Sequence, residues 1–155
     1  MNKKNVRRIN FFGGPCTGKS TISSFIFSEL KKIGYDVEIV REYVKFWTYI
    51  NKRPIEYDQY YINAKQVYKE NTILRQVDLV ISDSPLYLQY IYSKYYDNSK
   101  AIQQSIYNIA HDFEKIYPSI NILLNNNNDE YNMKGRFQKE DEIKYLNDLI
   151  VKEMD

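Results

Sequence analysis

Four short runs dominated by apolar residues punctuate this chain, at positions 9–12, 37–40, 79–81 and 120–124, and between them apolar residues recur three or four positions apart. The first pattern predicts buried strands and the second amphipathic helices. After the first run, Ile22, Phe25, Ile26, Leu30 and Ile33 mark a helix that ends at Gly34, a natural C-cap behind Lys31 and Lys32. A short helical piece over about 42–50 stops ahead of Pro54, and a longer helix over about 57–76 presents Tyr61, Ala64, Val67, Tyr68 and Leu74 as its apolar face. Past the third run, Ser84 reads as an N-cap and Pro85 as the first helical residue of a helix reaching about position 96. Asp97, Asn98 and Ser99 break the chain before a helix over about 101–116, which ends ahead of Pro118. Beyond a polar stretch at 125–134, Ile143, Leu146, Leu149 and Ile150 mark a last amphipathic helix. Strands and helices alternating in this order imply a three-layer α/β architecture, with a mostly parallel central sheet of four or five strands and helices on both faces.

At 155 residues with 43% hydrophobic content, the chain suffices for one domain spanning 1–155 and not for two. Its 22 basic and 20 acidic residues leave a formal net charge of +2, so the overall balance demands no nucleic-acid partner, while a local basic groove stays open. Cys16 is the only cysteine, which excludes an internal disulfide and fits a reducing, cytoplasmic compartment. A reactive thiol at Cys16 is the less favoured reading. Lys3, Lys4, Arg7 and Arg8 precede an apolar run that stops at Phe12, so no export signal is expected. No stretch approaches the roughly 20 apolar residues of a membrane span, and no membrane partner is expected. The Tyr-rich helix at 86–96 supplies a core face or an interface, which leaves monomer and homodimer both open.

The segment Gly13-Gly14-Pro15-Cys16-Thr17-Gly18-Lys19-Ser20, followed by Thr21, satisfies G-x-x-x-x-G-K-S/T and joins the first strand to the first helix. That context identifies a phosphate-binding loop. Glycines allow consecutive backbone N–H groups to point at an anion, and the positive end of the following helix adds a fixed field. Lys19 is placed to reach the β- and γ-phosphates of ATP, and the Ser20 hydroxyl to hold Mg²⁺.

Ligands of open parallel sheets collect at the carboxyl ends of the strands. There the second strand delivers Arg41 and Glu42, and the third delivers Asp83. Asp83 suits the magnesium shell and Glu42 suits acceptance of a proton from an attacking hydroxyl, although the two roles are exchangeable. Asp83 as a capping or ion-paired carboxylate and Glu42 as a solvated strand-end charge are the plainer readings. The fourth strand leads into a lid-like loop at about 125–137, where Lys134 and Arg136 flank Gly135. Closure there would bring Arg136 over a triphosphate, unless that arginine only solubilises the loop. His111 is the single histidine and lies mid-helix, a structural position; no His/Cys cluster has the spacing of a zinc site.

With these residues in place, the chain resembles the NadR-like P-loop kinases, which include nicotinamide riboside kinase domains and many bacteriophage nucleoside or nucleotide kinases. The resemblance rests on residues 13–21, on Val40-Arg41-Glu42-Tyr43, on Asp58-Gln59 with Ala64-Lys65-Gln66, on Val80-Ile81-Ser82-Asp83-Ser84-Pro85, and on Gly135-Arg136-Phe137-Gln138. It implies a P-loop kinase fold, ATP and Mg²⁺ as cosubstrates, and γ-phosphate transfer to a hydroxyl of a nucleoside-like acceptor. It also implies that Glu42 and Asp83 face the acceptor with Arg41 beside them, that Arg136 is the lid arginine, and that Gln59 or Gln66 faces the acceptor base. Members of that family continue past the last helix into another strand, so the resemblance predicts either a sheet one strand shorter or a longer chain.

Three functions follow from this reading. The first is an ATP-dependent kinase acting on a nucleoside or nucleoside monophosphate. The second is a kinase acting on a hydroxymethylated pyrimidine within DNA, for which Arg41, Lys45, Lys52 and Arg53 supply a basic cluster near the acceptor side. The third is a P-loop switch or ATPase. Such proteins usually place a water-orienting residue, often a glutamate, beside the strand-three aspartate, and Ser84-Pro85 stands there instead.

Overall fold

In the computed structural model, which describes residues 6–125 and 140–154, the strand β1 (Arg8–Phe12) lies inside a sheet rather than at its edge. The sheet has four strands in the order β2 (Val37–Val40), β3 (Leu79–Ser82), β1 and β4 (Ser119–Leu123), and every pairing is parallel. Register is continuous across the middle, with Ile9 opposite both Ile81 and Ile120. All four strands therefore end at the same edge of the sheet, and β1 stands where the strand order reverses.

Successive strand residues face opposite sides. Phe11, Val37 and Ile81 are buried against Ile26, Phe27 and Leu30 of α1 (Lys19–Lys32). Val40, Val80 and Phe12 face the other way. They pack with Leu74 of α3 (Asp58–Leu74), with Leu86, Leu88 and Ile91 of α4 (Leu86–Tyr95), with Phe113 of α5 (Lys100–Ile116), and with Leu146 and Ile150 of α6 (Glu140–Met154). The result is the three-layer α/β P-loop fold, with helices on both faces of a parallel sheet.

Several helical details differ from the sequence expectation. The buried face of α1 is Ser23, Ile26, Phe27 and Leu30, whereas Phe25 and Ile33 are 65% and 70% exposed. A small residue at position 23 lets the helix approach the sheet closely. The buried face of α3 carries Gln59, Ile62, Asn63, Gln66, Glu70 and Leu74, while Tyr61, Ala64 and Tyr68 face outward. α2 is confined to Lys45–Tyr49 instead of beginning at Glu42, and Ser84 does not cap α4. Pro85, in an extended conformation, precedes Leu86, and the Ser84 hydroxyl accepts a hydrogen bond from Gln89 instead.

The two arginines before the phosphate loop are structural. Arg7 donates to the carbonyls of Leu74, Val77 and Asp78, covering the open end of α3. Arg8, buried under Phe113, donates to the Tyr117 carbonyl and pairs with Glu114 at 2.5 Å and with Glu70 at 3.5 Å. At the far end of α1, Gly34 takes a positive φ of 86°, its N–H donates to the Lys31 carbonyl, and the Tyr35 N–H donates to Leu30. This pair of bonds closes the helix in a Schellman turn.

Candidate active site

Between β1 and α1 the chain turns through residues 13–18, with Gly13, Cys16 and Gly18 at positive φ. Gly13 has φ 142°, and a Cβ there would lie 2.6 Å from Thr17 Oγ1 and 2.7 Å from the Leu124 carbonyl oxygen. At Gly14 a Cβ would fall 1.9 Å from Asn147 Oδ1, because α6 lays that side chain against the loop. Cys16 has φ 68°, Gly18 forms the left-handed N-cap of α1, and the Thr17 hydroxyl donates to the Gly14 carbonyl at 2.9 Å. Lys19 Nζ donates to the carbonyls of Gly13 and Gly14 at 2.6 and 2.7 Å, so the ammonium is held across the loop. The first-turn amides of α1 and this ammonium together make a concentrated anion site.

Asp83, only 5% exposed, stands directly after β3. Its Oδ2 accepts a 2.8 Å bond from the Ser20 hydroxyl and its Oδ1 accepts a 3.0 Å bond from the Glu42 backbone N–H. One carboxylate thus ties the ends of β2 and β3 to the start of α1. Hydroxyl and carboxylate oxygens are the ligands that a hard cation such as Mg²⁺ prefers, so Ser20 and Asp83 fit that ion.

These residues border a cavity of about 310 Å³. One wall is the stretch 15–21; the others include Glu42, Lys45 and Thr48, the rings of Tyr49, Tyr92 and Tyr96, and the amides of Gln59 and Gln89. Of the site residues expected from sequence, Pro15 to Thr21, Glu42, Gln59 and Asp83 meet at this cavity, with Gly13 and Gly14 in the same loop. Arg41 and Gln66 do not line it. Arg41 donates to the Ser24 hydroxyl on α1, and Gln66 is buried deeper, donating to Glu70 at 2.9 Å and more weakly to Ser82 at 3.4 Å. Lys134, Arg136 and the proposed lid lie outside the described residues. Sequence reasoning missed Gln89 and Tyr92 on α4 and Tyr96 at its C-cap, whose periodicity gives no sign of a cavity, and Asn147 on α6, which packs against Gly14.

The layer behind the site is also polar. Glu70 is fully buried and accepts hydrogen bonds from Gln66, Ser82 and Arg8. Burial pushes its pKa up, and the Arg8 guanidinium and the surrounding donors only partly offset that.

Residues 8–155 match the family model described as AAA domain, which covers the loop and every strand and helix among the described residues. The chain belongs to the AAA domain family. It is a P-loop NTPase family, in keeping with the loop geometry. The AAA domain fold of this chain is similar to the crystal structure of thymidylate kinase from Ehrlichia chaffeensis. The TM-score is 0.50 at 12% sequence identity, over 97% of this chain and 100% of that one. A cysteine-to-alanine mutant of the APS kinase of Mycobacterium tuberculosis aligns over 97% of this chain and 99% of that one, at 13% identity and a TM-score of 0.45. No curated protein sequence matches the chain. None of the described helices is long and apolar enough to cross a membrane.

Proposed function

We propose that this AAA domain is an ATP-dependent kinase that transfers the γ-phosphate of ATP to a hydroxyl of a nucleoside or nucleoside monophosphate. The observation that carries this reading is the three-way tie of Ser20, Asp83 and the Glu42 backbone beside a cavity that extends past the phosphate loop. A hydrolase needs room for a water only. This cavity continues to an aromatic and amide wall, which suits a flat heterocycle carrying a hydroxyl. The motifs shared with the NadR-like kinases support the same reading.

In this mechanism the loop amides and Lys19 bind the triphosphate, and Ser20 with Asp83 would hold Mg²⁺, which when bound neutralises phosphate charge. Asp83 is assigned to the ion and ties Ser20 to the Glu42 backbone, so the proton is assigned to the carboxylate of Glu42, which also lines the cavity. As the acceptor oxygen bonds to the γ-phosphorus, the bond to the bridging oxygen breaks and ADP departs. The hydroxyl proton passes to the Glu42 carboxylate. Arg136, from the stretch before α6, is proposed as the lid arginine, and Arg41 as an outer charge that steers the acceptor.

A second reading, a modified pyrimidine within DNA as acceptor, is favoured by one observation. Tyr49 and Lys45 border the cavity, Phe46 between them in sequence is exposed, as are Tyr57 and Tyr60 at the start of α3, and exposed rings interleaved with cations suit a single strand. Lys52 is less available, since it lies 3.6 Å over the Trp47 ring and pairs with Asp58. Incubation with labelled ATP and Mg²⁺ against nucleosides, nucleoside monophosphates and hydroxymethylated DNA tests both readings. Label on a free nucleoside or nucleotide supports the first, and label on DNA alone replaces it with the second. Phosphate released to water whatever the acceptor overturns both in favour of an ATPase.

A further inference from the structure

Two glutamines, neither a member of the phosphate loop, meet at the wall of the same cavity. Gln59 stands in the first turn of α3 and Gln89 in α4, and both are nearly fully buried while lining the cavity. Gln59 Nε2 lies 2.8 Å from Gln89 Oε1 and 3.4 Å from the backbone carbonyl oxygen of Gln89. Gln89 Nε2 in turn donates to Ser84 Oγ at 2.7 Å. An amide nitrogen carries two hydrogens and the amide oxygen carries none. The Gln59 atom facing two oxygens of Gln89 must be the nitrogen, since an oxygen there would face a carbonyl with no proton between them. Both Gln59 hydrogens are then directed at Gln89, and the polar atom Gln59 retains for the cavity is its carbonyl oxygen.

We propose that Gln89 is a positioning residue that fixes the polarity of Gln59, so that this wall offers a hydrogen-bond acceptor and selects a phosphoryl acceptor whose heterocycle presents an N–H edge. This rests on the kinase reading above and narrows its substrate class. A ring lactam, imide or amino group satisfies the Gln59 oxygen. A fully N-substituted heterocycle leaves that oxygen buried without a donor. Sites built to hydrogen-bond a substrate group reject analogues lacking it far more strongly than apolar pockets discriminate by size. The relay also reaches the chemistry, because Ser84 is bonded in sequence to Asp83, whose carboxylate bridges Ser20 and Glu42.

The test compares matched acceptors: thymidine with N3-methylthymidine, deoxycytidine with its N4,N4-dimethyl derivative, and deoxyadenosine with its N6,N6-dimethyl derivative, each also as the monophosphate. For whichever parent compound is phosphorylated best, N-methylation is expected to lower kcat/KM by about 100-fold or more, with KM for ATP unchanged. In Gln89→Met, which keeps side-chain volume and removes both polar atoms, Gln59 is released to present its N–H, and that ratio falls to within about fivefold. Thermal unfolding of the variant confirms that it is folded. If Gln89→Met unfolds, Gln59→Met reads the same ratio, which must also collapse. Equal use of parent and methylated acceptors by the parent protein overturns this inference and leaves the kinase reading standing, as does a folded variant that keeps the full ratio. Failure to phosphorylate any acceptor in the panel overturns both.

Discussion

The Ser20 hydroxyl donates a 2.8 Å hydrogen bond to Asp83 Oδ2, which joins the first turn of α1 to the end of β3 across a parallel sheet. The other oxygen of the same carboxylate is taken by the Glu42 N–H. An amide in place of Asp83 cannot accept both bonds. Asp83→Asn is therefore expected to raise the Mg²⁺ concentration for half-maximal turnover by about 10- to 100-fold, the range in which lost ligand support is felt. A magnesium titration of turnover checks this, and an unchanged midpoint removes Asp83 from the metal shell.

Glu42 reaches the cavity with its side chain while its backbone holds Asp83. Glu42→Gln should lower the single-turnover rate by about 100-fold or more and leave KM for ATP within about twofold, the signature of a lost proton acceptor. Weaker ATP binding at an unaltered single-turnover rate would reassign Glu42 to a structural role.

Lys19 bridges the Gly13 and Gly14 carbonyls by charge-assisted bonds. Lys19→Ala should cost about 100- to 1,000-fold in kcat, comparable to loss of one preorganised donor aimed at developing charge. Steady-state kinetics at saturating ATP measures it; a loss confined to KM would limit the lysine to binding.

The two loop glycines should differ in tolerance. At Gly13 an added methyl meets the Leu124 backbone at a positive φ, and neither can yield, whereas at Gly14 it meets only the Asn147 side chain. Gly13→Ala is expected to cost more stability than Gly14→Ala, the latter about 1–3 kcal/mol. Combination with Asn147→Ala should restore most of the Gly14→Ala loss and none of the Gly13→Ala loss. Denaturant unfolding of the three single and two double variants reads this coupling directly.

Burial raises the Glu70 pKa above 4.5, against the pull of Arg8. A raised folded-state pKa means that the folded protein binds the proton more tightly. The stability contributed is thus fully present below about pH 4.5 and is lost as pH rises through the folded value. The parent protein should gain stability relative to Glu70→Gln as pH falls from neutrality toward 4.5. Urea unfolding of both at several pH values tests the sign, and parallel curves refute it.

Much of this architecture is legible in the sequence because strands β1 to β4 are short apolar runs flanked by breakers, and the phosphate loop is specified by the spacing of its glycines before Lys19 and Ser20. Helix faces were less legible. On α3 the pattern favours Tyr61 and Tyr68, yet the buried stripe is Gln59, Asn63, Gln66 and Glu70. Hydropathy assigns such residues to solvent, and it is Arg8, Ser82 and Gln89 on other elements that supply hydrogen-bond partners to Glu70, Gln66 and Gln59. The same logic hides Gln89. It reads as a polar interruption in a Tyr-rich helix until Gln59 and Ser84 are seen beside it. Asn147 is invisible for a simpler reason, since nothing in α6 signals that it ends against Gly14.

Trp47, the single tryptophan of the chain, sits on α2, stacked with Tyr61 and covered by the Lys52 ammonium. Lys45 and Thr48 of that same short helix border the cavity. The molecule consequently carries its own optical probe on a helix that borders the cavity, with sixteen tyrosines available as energy donors to it. Any occupant that shifts α2 disturbs the charge over the indole face, so its emission spectrum follows acceptor entry without a label.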